Sequence, residues 1–114
     1  MLELVEAALE IFDQEASVRD ISLGSTDTVT IVGDLHGQLP DLLSIFKLNG
    51  IPERGKNYLF NGDFVDRGTD SMGVLCSLLA FKCYLPDCVF LNRGNHESAK
   101  QNKVFGFEEE VLSK

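Results

Sequence analysis

The feature that most restricts what this chain can fold into is a pattern stated three times: an apolar run, a loop of glycine and polar side chains, then apolar residues at helical spacing. Thr28-Val29-Thr30-Ile31-Val32 is β-branched throughout and reads as a buried strand. It runs into Gly33-Asp34-Leu35-His36-Gly37, after which Leu39, Leu42, Leu43 and Phe46 recur with the helical period and stop at Asn49-Gly50. A polar connection from Ile51 to Lys56 precedes a second strand, Asn57 to Asn61, which hands over to Gly62-Asp63-Phe64-Val65-Asp66-Arg67-Gly68. Thr69-Asp70-Ser71 can cap a helix from Ser71 to Tyr84, in which Met72, Leu75, Leu78, Leu79 and Phe81 are apolar. Pro86-Asp87 turns the chain, and Cys88-Val89-Phe90-Leu91 makes a third strand that ends in Asn92-Arg93-Gly94-Asn95-His96-Glu97. The tail from Phe105 to Leu112 begins a further helix. Such alternation predicts an α/β fold with parallel strands and right-handed crossovers. Parallel strands end on one edge of their sheet, the edge where open α/β sheets bind ligands. The polar loops, far apart along the chain, should therefore meet.

Before the first strand, Leu2, Val5, Leu9 and Phe12 share one helical face that Leu4, Ala8 and Ile11 widen. Residues 1–24 read as a lead-in amphipathic helix and linker packed on the core, too short to fold alone, and residues 25–114 as the unit that carries the loops. A length of 114 residues suits one domain with a single core. The net charge of -8 argues against nucleic acid or an anionic membrane as the main partner, although a local metal cluster can still recruit phosphate. No apolar run approaches the ~20 residues of a membrane span, and the acidic start of the chain shows no signal peptide. Cys76, Cys83 and Cys88 form no CxxC pair, and on a helix the first two stand roughly 10 Å apart, too far to bridge. Free thiols in a cytoplasmic or nuclear protein are expected.

The predicted meeting point collects Asp34, His36, Asp63, Asp66, Arg67, Asn95 and His96. Carboxylate, imidazole and amide oxygen suit a first-row ion such as Mn, Fe or Zn better than Mg. One carboxylate can bridge two ions about 3.5–4 Å apart and so clamp both sides of a phosphoryl displacement. Arg67 offers a planar fork that matches phosphate. Any one of these residues could merely satisfy a turn or hydrogen-bond within the core; three such loops in succession favour a site. Arg93 and Glu97 could equally brace the loops or join the chemistry.

The three loop sequences resemble the signatures of the phosphoprotein phosphatases, a family of metal-dependent serine/threonine phosphatases with a calcineurin-like metallophosphoesterase fold. The likeness runs from about Thr28 to Val111. The words Phe60-Asn61-Gly62-Asp63-Phe64 and Leu91-Asn92-Arg93-Gly94 most resemble the branches that carry tetratricopeptide repeats or EF-hands, neither of which occurs here. The resemblance implies that Asp34 and His36 hold a first metal, that Asp63 bridges, and that Asn95 binds the second. It implies His96 as general acid, Asp66 as the carboxylate that orients it, and Arg67 as the phosphate-binding residue. A hydroxide activated by the two metals would then hydrolyse phosphoserine or phosphothreonine on a phosphoprotein substrate.

The family completes its second metal with further histidines from the other half of the domain, and both histidines of this chain already have roles. The expectation is therefore a βαβαβ half of a two-sheet sandwich, truncated, that binds one metal at most by itself. The missing C-terminal half or a regulatory subunit would be its partner. A sheet face left open to water should favour aggregation or self-association. Two alternatives stand beside this reading: a non-catalytic interaction fragment, and a hydrolase of dinucleoside polyphosphates from the same superfamily.

Overall fold

The computed structural model describes residues 1–114. Its elements in order are α1 (Leu2–Gln14), β1 (Thr28–Val32), α2 (Leu39–Asn49), β2 (Lys56–Phe60), α3 (Ser71–Tyr84), β3 (Val89–Leu91), α4 (Ala99–Phe105) and α5 (Phe107–Ser113). The strands form one parallel sheet in the order β1-β2-β3, as the alternating pattern requires. Register sets the two faces apart. Thr30, Tyr58 and Val89 lie side by side, as do Val32, Phe60 and Leu91. On this face Tyr58, Phe60 and Val89 are wholly buried with Leu42 of α2 and with Val74 and Leu78 of α3. Phe46 meets Tyr58 and Phe81 edge-on at 5.4 and 5.1 Å, the offset geometry that aromatic quadrupoles favour.

The opposite face carries Ile31, Leu59 and Phe90 in register. It is only partly covered: the Arg19 guanidinium lies 5.2 Å over the Phe90 ring, while Ile31 remains 70% exposed. The open sheet face expected from the sequence is therefore present. β1 itself departs from expectation. It is an edge strand in which only Val32 is buried, because β-branching reports a fit to the pleat and not the number of neighbours.

α1 packs on α3 through a narrower stripe than its apolar residues suggested. Ala8 is buried and Leu4, Ile11 and Phe12 are half-buried, whereas Leu2 and Leu9 are 69% and 56% exposed. The small side chain at Ala8 lets the helices approach and leaves the flank of the stripe in water. The join is finished electrostatically. Lys82 of α3, with no exposed surface, gives its ammonium hydrogens to Glu15 Oε1 at 2.5 Å, Pro86 O at 3.0 Å and Val89 O at 2.8 Å. Three donors meet three acceptors, so the buried charge is fully used.

α3 starts and ends where its sequence predicts, with the Asp70 side chain accepting from the Gly73 amide at 2.8 Å. β2 begins and ends one residue earlier than expected, and β3 begins one residue later. α4 was not anticipated. All three cysteines are free thiols.

Candidate metal centre

Each polar loop leaves the C-terminal end of a strand, and backbone bonds sew the loops into one surface. Leu35 and His36 donate their amides to Asp63 O at 3.1 and 3.0 Å, and Gly37 donates to Phe64 O at 2.9 Å. The third loop is tied to the second by Glu97. Its carboxylate accepts from the amides of Asp63 and Phe64, both at 2.7 Å, and of Gly94 at 2.8 Å. Of the two roles open to Glu97, the structure shows the brace. Arg93 folds back to donate to Glu97 O at 2.9 Å.

Glycine is required where the loops touch. A Cβ at Gly94 would lie 2.2 Å from Asp63 Oδ1, and one at Gly68 would lie 2.0 Å from His36 O. Four non-glycine residues also take left-handed backbone angles: His36, Asp63, Asp66 and Arg67, with φ of 41, 55, 70 and 71°. Each costs about 1–2 kcal/mol and persists only because its surroundings dictate it. Strain of this kind concentrates where a fold holds side chains for chemistry.

The outcome is that the donor atoms of Asp34, His36 and Asp63 all lie within 4.8 Å of one another. His36 Nδ1 is engaged with Val65 O at 2.9 Å, which leaves Nε2 facing Asp34 Oδ2 at 3.6 Å. Fixing one ring nitrogen on a carbonyl is how proteins aim the other at an ion. The Asn95 amide lies against Asp63. With its nitrogen inward it donates to Oδ2 at 3.0 Å and Oδ1 at 3.3 Å; with its oxygen inward it sets acceptor against acceptor, which a shared cation would reward. Two carboxylates, an imidazole nitrogen and an amide oxygen make a donor set that fits a divalent first-row metal.

Beside this group, His96 and Asp66 form a buried couple with His96 Nδ1 at 2.9 Å from Asp66 Oδ2. His96 is also tied to the Asp34–His36–Asp63 group, since its amide donates to Asp63 Oδ1 at 2.9 Å and its ring stands edge-on to His36 at 4.7 Å. Arg67 is exposed, with its guanidinium 5.4 Å over the Phe105 ring and its amide bonded to Phe105 O at 2.9 Å. Phe105 in turn lies 5.2 Å from the His96 ring. All seven residues singled out from the sequence thus stand in one place.

Sequence reasoning missed what the last two helices contribute. Asn102 donates to Asp66 Oδ2 at 3.1 Å and to His96 O at 2.7 Å, and the Phe107 amide donates to Asp66 Oδ1 at 3.0 Å. Glu110 caps α3 from outside, accepting from Ser71 at 3.0 Å and Met72 at 2.8 Å. Burial pushes the Glu110 carboxyl up, but the Met72 amide, the Lys114 ammonium and the Ser71 amide outweigh it and leave it below the usual range. One signal for α4 was legible: Ser98 followed at Gln101 by an amide side chain, a capping-box spacing, with Gly106 as a stop.

Comparison with known proteins adds relatives to this geometry. A family model described as calcineurin-like phosphoesterase matches residues 28–114. Serine/threonine-protein phosphatase 5 of Arabidopsis thaliana is 54% identical over 98 residues, which is 86% of this chain and 18% of that protein. Serine/threonine-protein phosphatase T of Schizosaccharomyces pombe is 52% identical over 92% of the chain and 22% of that protein. Among solved structures, a protein serine/threonine phosphatase from Saccharomyces cerevisiae superimposes with a TM-score of 0.92 and 40% identity, over 98% of this chain and 36% of that one. The chain therefore spans about a fifth of the length of the curated relatives it matches.

Proposed function

The chain belongs to the calcineurin-like phosphoesterase family, and on that premise we propose that it supplies the first part of the active site of a protein serine/threonine phosphatase. The observation that carries this reading is the adjacency of two groups: the Asp34–His36–Asp63 donors and the buried His96–Asp66 couple, joined through the His96 amide on Asp63. Asp34, His36, Asp63 and Asn95 would hold the divalent ions. When bound, these supply Lewis-acid activation of water and neutralise charge on the phosphoryl oxygens.

The remaining work belongs to side chains of this chain. Arg67 presents its fork to two phosphate oxygens, steadied by the ring of Phe105 beneath it. In the protonated His96 ring, Asp66 accepts from Nδ1, so Nε2 carries the hydrogen that reaches the departing seryl or threonyl oxygen. Burial of that couple keeps bulk water from competing for either partner. The relatives, all named as protein phosphatases, favour phosphoproteins over dinucleoside polyphosphates as substrates. A chain extended to the length of those relatives, supplied with Mn, should hydrolyse a phosphoserine peptide in preference to a dinucleoside polyphosphate. Asp63→Asn should abolish the activity, and activity retained in that variant would refute the assignment.

A second reading concerns the 114 residues alone. Only one group of three ligating side chains is present, and His96 is committed to Asp66. As an isolated piece the chain would bind a single ion and act through contacts. Calorimetric titration with Mn separates the readings, since two tight sites would contradict the second.

A further inference from the structure

We propose that Asn102 of α4 is a positioning residue that locks Asp66 and His96 into their working geometry. Its catalytic consequence rests on the phosphatase reading; its structural consequence does not. The Asp66 side chain has no exposed surface, so every acceptor site it fills must be filled by protein. Oδ1 takes the Phe107 amide, and Oδ2 takes His96 Nδ1 and Asn102 Nδ2. Asn102 uses both hydrogens of one rigid, planar amide group: one on Asp66 Oδ2, the other on His96 O at 2.7 Å. That single group therefore sets the separation between the carboxylate and the main chain from which the imidazole hangs.

The lock is itself held from behind. The backbone N–H of Asn102 donates to Ser98 O at 3.0 Å, and Ser98 caps α4 immediately after the loop that carries His96. Without the amide group, His96 loses its fixed origin, its Nδ1 no longer holds to Asp66 Oδ2, and Nε2 swings relative to Arg67 and Asp63. An aspartate at position 102 matches asparagine in shape, yet it sets a third oxygen against two that already face inward. A glutamine carries the same amide one methylene too far. Shape, donor number and placement all single out asparagine.

The test uses a property of the sequence: the chain has two histidines, so its imidazole spectrum contains two patterns. In long-range proton–nitrogen spectra of the labelled 114-residue chain, both rings should be protonated at Nδ1, His36 on Val65 O and His96 on Asp66. Asn102→Ala and Asn102→Asp should both lose the His96 Nδ1 proton and average its tautomers, while the His36 pattern stays and reports an intact fold. An unchanged His96 pattern in both variants, or a wild-type ring without that proton, overturns the proposal. Loss of the fold in both, and in Asn102→Ser as well, would make the residue a folding determinant and overturn it too. In the extended, metal-loaded enzyme, Asn102→Ala should lower kcat about tenfold or more with KM unchanged. Wild-type inactivity there would sink the phosphatase reading and leave the ring-proton result standing.

Discussion

Replacing Glu97 by glutamine removes one charge and should loosen two loops at once. In the native carboxylate, Oε2 accepts from Asp63 and Gly94 and Oε1 accepts from Phe64. Hydrogen bonds to a charged group are worth about 1.5–3 kcal/mol, against about 0.5–1.5 kcal/mol for neutral ones. The glutamine oxygen can keep two of the three bonds, each about 1 kcal/mol weaker. Its NH2 group then faces the Phe64 amide, donor to donor, at a further cost of about 1–3 kcal/mol. The side chain is half-buried, so water repairs part of this, and about 3 kcal/mol is the expected net loss. For a domain of this size that corresponds to roughly 10–20 °C in Tm. The same amide bond holds Asp63 at its φ of 55°, so Mn affinity should fall together with stability. Circular-dichroism melting and Mn calorimetry on wild type and Glu97→Gln read both effects. A variant that melts within about 2 °C of wild type and binds Mn equally well would refute the brace.

Gly94→Ala should abolish Mn binding and lower Tm as well, because the added Cβ would stand 2.2 Å from Asp63 Oδ1 and 2.5 Å from Asp63 N, displacing both the candidate ligand and the loop backbone that Glu97 braces; calorimetry and melting of the variant check it. Lys82→Met removes the ammonium between Glu15, Pro86 O and Val89 O, and should cost about 3 kcal/mol by chemical denaturation, with protease cleavage appearing first in residues 14–24 as α1 detaches. Native stability there would show that packing alone holds the helix. The folded Glu110 carboxyl lies below its ordinary value, so its stabilisation is complete above about pH 5 and fades as pH falls below about 4. Glu110→Gln should therefore melt earlier than wild type near neutrality and converge with it in acid, and a difference independent of pH would contradict the assignment.

The parts of this structure that were legible in the sequence are those fixed by local chemistry. β1, α2 and α3 begin and end where β-branching, an Asn-Gly stop and an aspartate cap place them. The three loops converge because parallel strands leave no other arrangement. What escaped notice depends on partners distant in the chain. Lys82 reads as an ordinary polar position of a helix, and its burial as a charge depends on Glu15, far upstream, as the only anionic partner. β1 looks buried by composition but stands at an edge, which depends on strand order. Asn102 and the Phe107 amide belong to the site through Asp66, thirty-six and forty-one positions away. No spacing rule connects such pairs.

Mn is paramagnetic and erases amide signals around itself, so a sub-stoichiometric titration of the labelled chain maps where the ion sits. The signals of residues 33–37, 62–67 and 94–97 should disappear together at the first additions, while the acidic α1 keeps its own. Broadening centred on α1, or confined to one loop while the other two stay sharp, would contradict the claim that these strand ends build a single metal centre.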